Sequence, residues 1–95
     1  MRLDRYLFFI RLLKSRTLAQ ALIAQGRVRI DGHRVTKIAE DVRVGSVIAL
    51  PLNGRVRILR VLAMPARRGP PGEARACYEE LGGDNANVSQ EGTGN

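Results

Sequence analysis

The stretch Ser15-Arg16-Thr17-Leu18-Ala19-Gln20-Ala21-Leu22-Ile23-Ala24-Gln25-Gly26-Arg27-Val28-Arg29-Ile30-Asp31-Gly32-His33-Arg34-Val35 decides the fold. Before Gly26 the apolar residues Leu18, Ala19, Leu22 and Ile23 recur at helical spacing, with Ser15 placed to cap the first turn. After Gly26 the period drops from about 3.6 to about 2, and Val28 and Ile30 alternate with Arg27 and Arg29. Gly26 suits the position just past a helix, where a positive φ costs glycine nothing. Asp31-Gly32 predicts a two-residue hairpin turn, since type I′ needs positive φ at both central residues. A helix therefore feeds directly into a hairpin whose return strand begins at Arg34 and Val35.

Upstream, a first helix is predicted over Asp4–Leu13, with Asp4 as N-cap and Leu3, Leu7, Ile10 and Phe8 toward the core. Tyr6 and Phe9 are expected on a different side. Downstream, Val47–Leu50 reads as a strand, Asn53-Gly54 as a second hairpin turn, and Arg55–Val61 as its partner. On that partner Val56, Ile58 and Val61 are expected inward, and Arg55, Arg57 and Arg60 on a solvated face. Pro65 and Gly69-Pro70-Pro71-Gly72 break the pattern, Glu73–Leu81 predicts a short helix, and residues 82–95 a disordered tail. The expected fold is α+β: two N-terminal helices packed on a small, mostly antiparallel sheet, with a short C-terminal helix.

Ninety-five residues suffice for one domain, with little structure to spare for a deep catalytic cleft. No run of about 18 apolar residues is present, so no membrane span is expected, and Tyr6–Ile10 is too short for a signal peptide. The single cysteine, Cys77, excludes an internal disulfide and suits a reducing, cytoplasmic setting. The net charge of +7 is unevenly spread. Residues 1–37 carry +7, residues 38–66 carry +2, residues 67–81 are neutral and residues 82–95 carry −2. A focused basic region on a small domain points to a polyanion, usually nucleic acid.

Arg11, Lys14 and Arg16 surround the turn between the two helices, and Arg27, Arg29, Arg34 and Lys37 belong to the following hairpin. Arginine grips phosphate with a bidentate fork, and a helix start adds free amides. Ser15 is placed either to cap alone or also to donate to phosphate. Catalysis is not expected. His33, the only histidine, follows a turn glycine, Cys77 has no histidine nearby in sequence, and Glu79-Glu80 reads as a solvated helix face. No cofactor, catalytic residue or metal site is expected.

The pattern Arg2-Leu3-Asp4, Leu7, Arg11, Lys14-Ser15-Arg16-Thr17, Ala19, Ile23, Gly26, Val28, Ile30-Asp31-Gly32, Val35, Lys37, Val42 and Gly45-Ser46-Val47-Ile48 resembles the RNA-binding domain of ribosomal protein S-four, the alpha-L motif. The resemblance implies an RNA face comprising Arg2, Arg11, Lys14, Ser15, Arg16, Arg27 and Lys37. Asp31 stands where that family often has Asn. Pro65-Ala66-Arg67-Arg68-Gly69-Pro70 and Glu73–Glu80 are similar to the ribosome-associated heat shock protein fifteen family, although Tyr6 and Phe8-Phe9 replace its tryptophans and an acidic run stands in place of its basic C-terminal helix. That likeness implies binding to large ribosomal subunits carrying a nascent chain and tRNA, and recycling of such stalled subunits under heat stress. The expected organisation is an S-four-type domain over 1–66, an extension with a short helix over 67–81, and the tail. A monomer is expected. Other partners compatible with the basic face are an acidic protein or duplex DNA.

Overall fold

The structure, a computed structural model, describes residues 1–83. It contains helices α1 (Leu3–Phe9), α2 (Arg16–Ala24) and α3 (Pro71–Arg75) and strands β1 (Val28–Ile30), β2 (His33–Val35), β3 (Val47–Leu52), β4 (Arg55–Val61) and β5 (Tyr78–Gly83). The strands form one antiparallel sheet in the order β2-β1-β3-β4-β5. This is the expected α+β architecture with one strand added. From position 84 onward the expected tail lies outside the described residues.

α1 is shorter than its periodicity predicts. Its N-cap is Arg2, and its C-cap is Ile10. The Arg11 amide donates to the Phe8 carbonyl at 3.1 Å, and the Leu12 amide to the Leu7 carbonyl at 3.2 Å. These are the two bonds of a Schellman ending, with Arg11 at the left-handed position (φ 65°) where glycine is usual. α2 ends the same way with Gly26 (φ 72°): the Gly26 amide donates to Ile23 at 2.9 Å and the Arg27 amide to Leu22 at 3.1 Å. Glycine is favoured at position 26 on two counts, because a Cβ there would also sit 3.1 Å from Cδ of Arg34, which would have to shift.

Leu3, Leu7, Ile10, Ala19 and Ile23 pack on Val28, Val35, Ile48, Leu50, Leu59 and Val61 to form the core. Three expectations about this layer need correction. Tyr6 is fully buried, and its hydroxyl donates to the Cys77 carbonyl at 2.8 Å, whereas Phe8 is only half-buried. The hydroxyl has a carbonyl to meet, so the ring can be placed inside. Leu18 is 48% exposed, because the α2 face that meets the sheet is narrow and centred on Ala19 and Ile23. On β4 the inward residues are Leu59 and Val61, and Val56 is 44% exposed. Strand side chains alternate strictly, so Val61 and Val56 cannot share a face. Replacing Tyr6 with Phe is expected to cost about 1 kcal/mol in chemical denaturation. The figure is modest because Cys77 also accepts from the Leu62 and Ala63 amides at 2.8 and 3.2 Å.

Both turns form as expected, with Asp31 and Gly32 at φ 50° and 84°, and Asn53 and Gly54 at 53° and 79°. Asp31 does more than turn the chain: its carboxylate accepts from the Val47 amide at 2.9 Å, fastening the hairpin to β3. The helix predicted over Glu73–Leu81 is corrected to the five-residue α3 followed by β5. β4 would otherwise present an unpaired edge, and β5 supplies both backbone partners and acids. Arg57 binds Glu80 at 2.6 Å and Arg60 binds Glu79 at 3.0 Å, so Glu79-Glu80 lies on a strand and is not a helix face.

Candidate nucleic-acid interface

The turn between α1 and α2 is organised by an acid. Asp4, expected as an N-cap, is instead fully buried. Its carboxylate accepts from Arg2 Nε and Nη2 at 3.1 and 3.3 Å, Arg16 Nη2 at 3.2 Å and Gln20 Nε2 at 3.0 Å. Burial pushes its pKa up, but the bonds from Gln20, Arg2, Arg16 and the Arg5 amide outweigh burial and hold it below 3.8. Arg2 and Arg16 are thus brought together from the two ends of a 14-residue separation and held in fixed orientations. The Arg16 Nε is buried with no partner. Ser15 caps α2, accepting from the Leu18 amide at 3.1 Å. Lys14, one residue before it, is exposed.

Arg11 is exposed but tethered, its Nε donating to the Gly69 carbonyl at 2.6 Å. Sequence reasoning missed the companion residue, Arg68. Its Nε donates to the Phe8 carbonyl at 3.1 Å and its guanidinium lies 4.5 Å above the centre of the Phe8 ring. The signal in the sequence was the Arg67-Arg68 pair, legible only as a family likeness.

At the other end of α2, about 14 Å away along a helix of this length, stand the hairpin cations. Arg29 and Arg34 are directly opposed in the β1–β2 register. Facing like charges on adjacent strands are destabilising unless something neutralises them. Arg29 Nη1 donates to the Gly32 carbonyl at 3.3 Å, and neither arginine has an acidic partner among the described residues. Arg27 and Lys37 are exposed. Arg27 and Arg29 border a groove floored by Ala49, Pro51 and Val56 on the sheet face away from the helices.

Four cations elsewhere are matched. Arg43 pairs with Asp41, Arg57 with Glu80, Arg60 with Glu79 and Arg67 with Glu73. Among the described residues, Lys14, Arg27, Arg29, Arg34 and Lys37 have no such acid. His33 is exposed at the start of β2, and burial pushes the Cys77 thiol above its ordinary pKa, which disfavours the reactive thiolate. The described residues contain no group of three His, Cys, Asp or Glu that could hold a metal ion, and no helix long and apolar enough to cross a membrane.

A helix pair laid on one face of a small antiparallel sheet, whose β1–β2 hairpin carries unmatched cations beside it, defines a small α+β module with a concentrated basic surface. The chain belongs to the S4 domain family, whose model matches residues 1–48, as the S-four resemblance implies. It is 34% identical over 80 residues to the heat shock protein 15 homolog of Haemophilus influenzae, an alignment covering 83% of this chain and 60% of that protein. It is 36% identical over 61 residues to the RQC P-site tRNA stabilizing factor of Bacillus subtilis, covering 64% and 70% of the two chains. The chain thus spans about three fifths of the length of the heat shock protein relatives it matches. The fold matches heat shock protein 15 of Vibrio cholerae, solved as a trimer, with a TM-score of 0.80 at 29% identity over 84% of this chain and 80% of that one.

Proposed function

We propose that this chain binds structured ribosomal RNA, that of the large subunit, and associates there with subunits carrying a nascent chain and tRNA. The observation that carries the reading is the partition of its ion pairs. On the far sheet edge Arg57 and Arg60 are matched by Glu80 and Glu79, whereas Lys14, Arg27, Arg29, Arg34 and Lys37, around α2 and the β1–β2 hairpin, have no acid among the described residues and are left for an external anion. Arg2, Arg11, Lys14, Ser15, Arg16, Arg27, Arg29, Arg34 and Lys37 form the proposed contact set. In it Lys14, Arg27, Arg29, Arg34 and Lys37 supply charge, while Arg2 and Arg16 are presented by Asp4. Phosphate contacts supply affinity and RNA shape supplies most of the specificity. The name of the Bacillus relative, a P-site tRNA stabilizing factor, supports a ribosomal site next to tRNA, and that of the Haemophilus relative supports action under heat stress.

With about six phosphate contacts, log K against log salt is expected to fall with a slope of roughly −4 to −5 on naked large-subunit RNA. The protein is expected to co-sediment with free large subunits and to leave that fraction after ribonuclease treatment. A nearly flat salt dependence, or an acidic protein partner retained after ribonuclease, would overturn the reading. Light scattering of the free protein checks the proposed monomer against the trimer found for the Vibrio protein.

A further inference from the structure

A cavity of about 350 Å³ opens where α1 ends, between α1, the 62–70 linker and α3. Arg11, Arg68 and Arg75 line it from those three segments, beside Ile10, Ala74 and Tyr78. None of its lining residues is a carboxylate. Three arginines lining one small cavity with no carboxylate among them repel one another.

Two of the three are held in place. Arg11 Nε donates to the Gly69 carbonyl at 2.6 Å, and Arg68 Nε to the Phe8 carbonyl at 3.1 Å. Stacking on Phe8 further fixes the Arg68 plane. An anchored Nε leaves the four terminal N–H groups of each guanidinium, the part of the fork that grips an oxyanion in pairs. Arg75, in the last turn of α3, has neither an ion-pair nor a hydrogen-bond partner for its side chain among the described residues. Capping of α1 accounts for the Arg68 Nε bond. It accounts neither for Arg75 nor for an acid-free lining.

We propose that Arg11, Arg68 and Arg75 form a binding pocket for one backbone phosphate of the RNA, which carries the interface from the helix turn onto the C-terminal extension. The proposal rests on the RNA-binding reading above. In it, the tether between Arg11 and Gly69 assembles the pocket, and the extension contributes two of the three arginines.

The test is filter binding to naked large-subunit ribosomal RNA across a salt series, with a thermal melt of each variant. Arg75→Ala is expected to lower affinity several-fold and to reduce the magnitude of the salt slope by about 1, as expected when one phosphate is no longer neutralised. Arg75→Lys keeps the charge and is expected to retain the slope. Arg75→Glu is expected to weaken binding further, with all three melts unchanged because the side chain is exposed. Lys14→Ala serves as the control for the reading itself. If Lys14→Ala lowers affinity and slope while Arg75→Ala and Arg75→Glu keep both at parent values, the pocket is overturned and the arginines only close α1. If Lys14→Ala also leaves binding unchanged and the slopes are flat, the RNA reading fails, and the pocket with it.

Discussion

The triple variant Lys14→Glu, Arg27→Glu, Lys37→Glu is expected to bind structured RNA about 1,000-fold more weakly than the parent near 0.1 M salt. Its melting temperature should stay within about 2 °C. All three side chains are exposed and lack an acidic partner among the described residues, so the folded state loses nothing when they change. In the bound state three cations that displace counterions from phosphates become three anions that repel them. Arg11 and Arg16 are poor choices for such an experiment. One is tied to Gly69 and the other to Asp4, so replacing them disturbs the fold together with the proposed RNA surface. Binding within tenfold of the parent, measured by filter retention, would refute the placement of the interface on these two ends of α2.

Asp4→Ala is expected to destabilise the fold by about 2–3 kcal/mol, lowering the melting temperature by roughly 10–20 °C for a domain of this size. Removing the carboxylate strands Arg2, Arg16 and Gln20 around a buried hole, and the Arg16 Nε already lacks a partner there. The figure sits below that for a fully buried ion pair because the side chains of Arg2 and Arg16 are 43% and 38% exposed and can recover water. Asp4→Asn should cost less, since the amide oxygen can still accept from Gln20. The pH dependence has a definite sign. The folded pKa of Asp4 lies below the unfolded value of 3.8, so its contribution is fully present above that value and is lost as pH falls through the folded pKa. Urea midpoints measured from pH 7 down to pH 2 should therefore hold until about pH 4 and then drop more steeply in the parent than in Asp4→Asn. RNA affinity should fall with the Asp4 variants too, because the two arginines lose their orientation. A melt unchanged by Asp4→Ala would show that the carboxylate organises nothing.

Part of the proposed interface was legible because its signals are local. Ser15 caps because a hydroxyl three residues before a helical amide needs nothing else. The grouping of Arg11, Lys14 and Arg16 around one turn follows from adjacency. What could not be read is which of these cations are already engaged within the fold. Asp4 looked like an ordinary helix cap, and only the packing of α1 against α2 turns it into the shared partner of Arg2, Arg16 and Gln20. Arg68 and Arg75 lay outside the basic first third by charge count, where the extension sums to zero. Glu79 and Glu80 cancel them in that count, yet in space those acids serve Arg60 and Arg57.

The sequence by itself determined the change of period at Gly26, the Asp31-Gly32 and Asn53-Gly54 turns, the cap at Ser15 and the α+β class. Each of these is settled within a few residues, by side-chain spacing, a required positive φ or one short hydrogen bond. The tertiary structure alone decided that Tyr6 goes inside, that Leu59 and not Val56 is buried on β4, that residues 78–83 complete a sheet, and which arginines stay unmatched. Those outcomes hang on partners far along the chain, such as the Cys77 carbonyl for Tyr6 and the open edge of β4 for β5. A local pattern records that a residue is apolar or charged, and the distant partner determines where it is used.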